Sequence, residues 1–319
     1  MICLLSNIRF NFKSHCFTFK PFVCFFSIVT LVLFLSFFGG CNNKELTPTD
    51  PLPIPAYNFS NKEIKLALVL GGGDSKGLAH IGVIHELEAA GIAPDLIVGC
   101  SSGALIGALY ADQPDSNHVK EVLLPLKRAH LLDFSFFGSQ FGMVKGTLLE
   151  KFLKENLSAD SFEHLKIPLV VVATDLMKGE LVEFGSGTLS SALKASAAFP
   201  GIFKPVSYLG RFFVDGGAVN PVPVNVAKKC GAKVVVAVDI GEKLSRKKPS
   251  HFFGVIKRSI EISYNELSRL SAKEADVLIA LNFRDIGMFN DAHNEAIYIA
   301  GREAGQKAIP NILKALKES

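Results

Sequence analysis

Between Asp95 and Tyr110 the chain reads DLIVGCSSGALIGALY, an apolar run that halts at glycine and restarts as an Ala/Leu/Gly-rich segment. Leu96 to Val98 reads as a buried strand, and a helix follows directly from Ser102. Between them Gly99, Cys100, Ser101, Ser102 and Gly103 form G-x-S-x-G. A strand that turns sharply into a helix strains the corner residue and lifts its side chain clear of the sheet, and glycines two residues either side leave room for that turn. The new helix also aims free N–H groups at the same point, which favours developing negative charge. Ser101 is therefore a candidate nucleophile. The competing reading is a serine that only caps a helix.

The first 40 residues differ from the rest. They hold Arg9, Lys13 and Lys20, no Asp or Glu, and an apolar run from Pro21 to Gly40. Three of the 34 Lys and Arg residues lie there, so 31 remain against 30 Asp and Glu, and the rest of the chain is nearly neutral. No basic stripe marks a nucleic-acid face, and no protein partner is legible. A charged n-region before a Phe/Leu-rich core reads as a secretory signal. Its end, Phe37-Phe38-Gly39-Gly40-Cys41, resembles a bacterial lipoprotein lipobox, which implies lipidation of Cys41. The alternative is an uncleaved helix, since about 20 apolar residues span a bilayer. Either way the chain is expected to be exported into the cell envelope and tethered to a membrane. Cys100 and Cys230 suggest no disulfide framework, and neither C-x-x-C nor H-E-x-x-H is present, so no metal site is expected.

Three segments follow: a signal over 1–40, a proline-containing tether over 41–63, and one catalytic domain over 64–319. In the last, strands are expected at Leu66–Leu70, Leu96–Val98, Lys166–Thr174, Leu181–Phe184, Lys233–Asp239 and within Glu274–Leu281. Helices are expected at Lys76–Ala90, Ser102–Tyr110, Ser190–Ala198 and Glu295–Leu316, the last broken near Pro310. Strands alternating with helices predict an α/β fold with a largely parallel sheet covered on both faces.

Two further pieces carry chemistry. The first strand runs into Gly71-Gly72-Gly73-Asp74-Ser75-Lys76-Gly77, a glycine-rich strand–loop–helix of the kind that cradles anions. It ends Lys-Gly-Leu where a P-loop needs Gly-Lys-Ser/Thr, and its glycines fit no G-x-G-x-x-G register. An oxyanion hole remains, as a serine nucleophile in the same sheet requires. Then Phe212-Phe213-Val214-Asp215-Gly216-Gly217 brings a carboxylate to a glycine turn, although an ordinary Asp-Gly hairpin reads the same way.

In this order, GGGDSKG, GCSSG and DGG resemble the patatin-like phospholipase family. So do LALVLGGGDSKGLAHIGVIHELEAAGI (66–92), VVATDLMKGELVEF (171–184), KASAAFPGIFKPV (194–206) and VDGGAVNPVPV (214–224). The resemblance implies a three-layer α/β/α sandwich with a largely parallel central sheet, and a lipid acyl hydrolase that uses a Ser-Asp dyad, without metal or cofactor. Carried over by position, Ser101 is the nucleophile, Asp215 its base, Gly71, Gly72 and Gly73 the oxyanion-hole glycines, and Lys76 the family's usual basic residue near the substrate. Asp74 departs from the pattern, standing where the family has a fourth glycine. Asp tolerates left-handed backbone angles, yet a carboxylate there repels an oxyanion or phosphate. A catalytically weak lipid-binding protein on the same fold is therefore the alternative.

A Ser-His-Asp triad would need a histidine after the acid, and His251 and His293 are available by order. Both read as surface residues, and His80 as helix packing. Cys100 is a less favoured thiol nucleophile. Asp175 and Glu180 read as caps of strand ends. The aromatic stretch Leu131–Val144, with Phe134, Phe136, Phe137 and Phe141, reads equally as a membrane-facing lid or as satellite core.

Overall fold

The computed structural model describes residues 50–59, 62–127, 130–133, 142–241, 248–281, 283 and 291–319. The signal segment, Cys41 and the four phenylalanines of the aromatic stretch lie outside the described residues.

An eight-stranded sheet forms the middle layer. Its strands are β1 (Leu66–Leu70), β2 (Leu96–Cys100), β3 (Leu169–Asp175), β4 (Glu180–Phe184), β5 (Val206–Tyr208), β6 (Arg211–Asp215), β7 (Val234–Asp239) and β8 (Val277–Ala280). They run in the order β5-β6-β3-β2-β1-β7-β8, with β4 also on β3. The centre, from β3 to β8, is parallel, while β4, β5 and β6 join antiparallel at one side. Aliphatic runs such as LALVL are buried on both faces, as a central parallel strand requires.

The pleat sorts those side chains into two cores. Leu66, Leu68, Leu70, Ile97, Val171 and Val236 face helices α1 (Leu78–Ala89), α2 (Ser102–Asp112), α3 (Ser116–Leu123), α4 (Thr147–Asn156), α5 (Leu189–Ser196) and α8 (Asn294–Glu318). Ala67, Val69, Val98, Cys100 and Val172 face a smaller core under α6 (Val224–Lys229) and the end of α7 (Phe252–Ser271), where Ala272 is buried. The result is the expected three-layer α/β/α arrangement.

Helices α1 and α8 cross closely on a seam of small residues. A Cβ on Gly82 falls on the Tyr298 carbonyl, and one on Gly301 falls on that of Ala79. Because backbone is struck from either side, Gly301→Ala must push the helices apart. A loss of about 2–3 kcal/mol is expected, read as a lower denaturant midpoint at unchanged m-value.

Three boundaries differ from expectation. The first helix opens as a 3-10 turn, Asp74–Gly77, before α1 begins. Helix α8 is continuous through Pro310 rather than broken there. Pro310 and Gln306 are exposed, so the carbonyl that proline leaves without a donor lies on the solvent side of the helix, where the lost hydrogen bond costs least. The described part of the tether is held against the domain: Leu52 N–H donates to Leu209 O (3.0 Å), Ser186 Oγ to Pro55 O (2.9 Å) and Tyr57 OH to Glu183 (2.5 Å).

Candidate active site

Strand order alone brings the three motifs together. The glycine loop leaves the C-terminal end of β1 and the Ser101 turn leaves that of neighbouring β2, the usual place for ligands in an open parallel sheet. Strand β3 lies beyond β2, with Val172 opposite Cys100, and Ala173 on the same strand pairs with Asp215 of β6. The carboxylate therefore reaches the level of the serine from the other side of β3.

The corner is strained as the motif predicts. Ser101 has φ 53° and ψ −121°, a conformation rare for a residue with a Cβ. Its N–H donates to Ser196 Oγ (2.8 Å), which pins the turn to α5. The flanking glycines are needed for close approach. A Cβ on Gly99 would stand 2.5 Å from Ala104 Cα, and one on Gly103 would strike the Leu70 carbonyl.

Asp215 is 2 % exposed. Its Oδ1 accepts the Gly217 N–H (2.7 Å), and its own backbone is fixed by Ala198 O and Thr174 Oγ1. Burial pushes its carboxyl up to about 6; the Ser101 hydroxyl, then the Gly217 N–H, pull less strongly the other way. Oδ2 has no hydrogen-bond partner. The serine hydroxyl is thus near enough to favour the carboxylate, yet its hydrogen bond is not closed as the site stands. Cys100 lies beneath, its Sγ 3.9 Å from Asp215 Oδ1. Burial, reinforced by that carboxylate, drives its thiol well above the usual range, the opposite of what a thiol nucleophile needs.

No histidine completes a triad among the described residues. His251 is exposed and caps α7, its Nδ1 accepting from Gly254 N (3.1 Å), and His293 is exposed before α8. His80 does more than fill space. It is fully buried, with Nε2 2.8 Å from Gly71 O, and burial lowers its ring to about 4. A carbonyl only accepts, so a neutral imidazole donates through Nε2 and holds the glycine loop in place.

Within that loop the three glycines are not equivalent. Gly71 N–H already donates to Val238 O (3.0 Å) and Gly72 N–H to Pro221 O (3.0 Å). The expectation that all three offer amides to an oxyanion therefore does not match this conformation, because neighbouring loops have taken two. Gly73, whose N–H meets no backbone carbonyl among the described residues, and the first turn of α2 remain as donors. Asp74 takes φ 63° and is exposed, so it meets the left-handed requirement without a buried charge. Lys76 is buried in the 3-10 turn, 5 % exposed. Asp175 caps the β3–β4 turn as read, accepting from Met177 N and Lys178 N. Among the described residues no cluster of three metal-ligating side chains occurs.

Residues 68–228 match the model of the family "Patatin-like phospholipase". The chain belongs to the patatin-like phospholipase family. Its patatin-like segment is 32 % identical over 191 residues to "Patatin-like phospholipase domain-containing protein 6" of Homo sapiens, covering 56 % of this chain and 13 % of that protein. It is 34 % identical over 192 residues to an uncharacterized NTE family protein of Mycobacterium tuberculosis, covering 60 % of this chain and 53 % of that one. The chain thus spans about half, or much less, of these relatives. Among solved structures, VipD from Legionella pneumophila shares the fold with TM-score 0.52 at 14 % identity, covering 89 % of this chain and 73 % of VipD.

Two residues of this patatin-like site escaped sequence reasoning. Ser196 lies within the quoted 194–206 stretch, but nothing in its spacing points to the Ser101 amide. Tyr264 is on a helix that sequence analysis left unassigned, and its hydroxyl is buried beside Gly72.

Proposed function

We propose that this chain is a membrane-tethered serine lipid acyl hydrolase that cleaves carboxylic ester bonds of phospholipids or related lipids. It works through a Ser101–Asp215 dyad and an acyl-enzyme. One observation supports the reading: a strained serine stands beside a buried carboxylate whose basicity is raised and which has no histidine as intermediary among the described residues. Asp215 takes the Ser101 proton as Oγ bonds to the ester carbonyl carbon. Gly73 and the α2 N-terminus stabilise the oxyanion, which collapses with departure of the alcohol, protonated by Asp215. Water, deprotonated by the same carboxylate, then releases the fatty acid and restores the serine. The tether is proposed from the n-region, the apolar run and Cys41; phospholipase A, lysophospholipase and general esterase activity all fit the same chemistry.

The pH–rate profile tests this reading. The base works only when ionised, so kcat/KM for a short-chain ester should fall about tenfold per unit below an apparent pKa near 6 and be level from pH 7 to 9. A profile flat to pH 4, or an inflection that moves when His251 and His293 are replaced, contradicts it.

A further inference from the structure

Helix α7 packs on the Gly216–Ala218 turn and contributes one side chain to the site. Tyr264 and the buried Ser268 lie one turn apart, so both fall on the face that α7 turns to the domain. The ring of Tyr264 lies between the glycine loop and the Asp215 turn. A Cβ on Gly217 would strike its edge and stand 3.0 Å from Asp215 Oδ1. A Cβ on Gly72 would collide with the phenol oxygen and stand 3.3 Å from Ser101 Cβ and 3.5 Å from Cys100 Sγ. The hydroxyl therefore lines the glycine-loop wall of the site, close to the carbon that bears the nucleophile.

That hydroxyl is buried and has no hydrogen-bond partner among the described residues. An orphaned donor costs free energy, and a phenylalanine would pack the same space without that cost. On the acid side, Asp215 Oδ2 is likewise an acceptor without a partner. The acceptor has a use, the serine proton, whereas the dyad chemistry gives the donor none. The backbone, meanwhile, is short of donors, because the Gly71 and Gly72 amides go to Val238 O and Pro221 O. Burial first, then Cys100, Asp215, Asp239 and Asp74, pushes the phenol well above its usual range. It therefore keeps its proton throughout the pH range in which Asp215 is ionised.

We propose that Tyr264 is the third catalytic side chain of this site: its hydroxyl donates to the ester carbonyl oxygen as that oxygen becomes negative, in place of the loop amides already engaged. The assignment rests on the hydrolase reading. As Ser101 Oγ bonds to the carbonyl carbon, the C=O pair moves onto oxygen and the serine proton moves to Asp215. The phenol donates a hydrogen bond to the new oxyanion and keeps its own proton. When the C=O re-forms, the alcohol leaves with the proton held by Asp215, and Tyr264 is unchanged. A neutral donor placed beforehand in a buried wall stabilises that charge without reorganising.

Tyr264→Phe in the full chain tests this. Its kcat/KM should fall about 10²–10³-fold, by the same factor for p-nitrophenyl butyrate and for methyl butyrate, because an oxyanion forms with either. A donor to the leaving group would matter only for the methyl ester, whose alkoxide leaves poorly. An alkyl trifluoromethyl ketone, whose adduct with Ser101 carries a lasting oxyanion, should bind about 10²-fold more weakly. The inflection near pH 6 should stay, since the base is untouched. The melting temperature should equal or exceed that of wild type, because the lost hydroxyl bonds to nothing among the described residues. Unchanged kcat/KM, a loss confined to methyl butyrate, unchanged ketone affinity, or a loss matched by a lower melting temperature overturns the proposal alone. If wild type cleaves neither ester and gains no fluorophosphonate adduct at Ser101, the hydrolase reading fails and the proposal falls with it.

Discussion

Replacing Ser101 with alanine should lower ester turnover by about a thousandfold or more with little change in substrate affinity, because on the proposed mechanism the bond-forming oxygen is gone while the surrounding walls remain. The backbone makes a second expectation for the same position. At φ 53° any Cβ is strained, so Ser101→Ala leaves that strain in place while Ser101→Gly relieves it. The glycine variant should be as inactive as the alanine one and about 1 kcal/mol more stable in urea. Equal activity in wild type and Ser101→Ala would remove the serine from the chemistry.

Asp215→Asn should lose about 10²–10⁴-fold in turnover and gain stability at pH 8. Burial raises the folded carboxyl from 3.8 to about 6. The folded chain therefore holds a proton that the unfolded chain has released between those values. The carboxyl's contribution is most favourable below pH 3.8 and is lost as pH rises through about 6. Above that, a buried charge costs up to about 3 kcal/mol. Asparagine carries no charge and its amide oxygen still accepts the Gly217 N–H, so its melting temperature should exceed that of wild type at pH 8 and converge with it near pH 4. Loss of activity together with loss of stability at pH 8 would mark Asp215 as structural. A functional group held at a cost to the fold gives the opposite pairing.

The central strands were legible because parallel strands buried on both faces read as unbroken aliphatic runs, and Leu66–Leu70 and Lys233–Asp239 have no other sensible fate. The Ser101 corner was legible for a similar reason: glycines at 99 and 103 answer steric demands visible from neighbouring residues. What escaped depended on contacts distant in sequence. Whether Gly71 and Gly72 keep free amides is decided by Val238 and Pro221, which no local pattern connects to them. His80 looked like packing because its partner, the Gly71 carbonyl, is a backbone group that every residue carries. Helix α7 was missed because the stripe of Phe252, Val255, Ile256 and Ile262 faces outward, so it reads as core to any rule that sends apolar residues inside. Pro310 misled in the other direction, since the freed carbonyl lies on the solvent side of the helix, where its lost bond costs least.

The most direct measurement is mass spectrometry of the full chain after exposure to a fluorophosphonate. If a hydroxyl on the β2–α2 corner is made nucleophilic by an unaided carboxylate, one adduct forms per chain, maps to Ser101, and vanishes in Ser101→Ala. It slows by orders of magnitude in Asp215→Asn. An adduct elsewhere, or ester cleavage that continues while Ser101 stays unmodified, contradicts it.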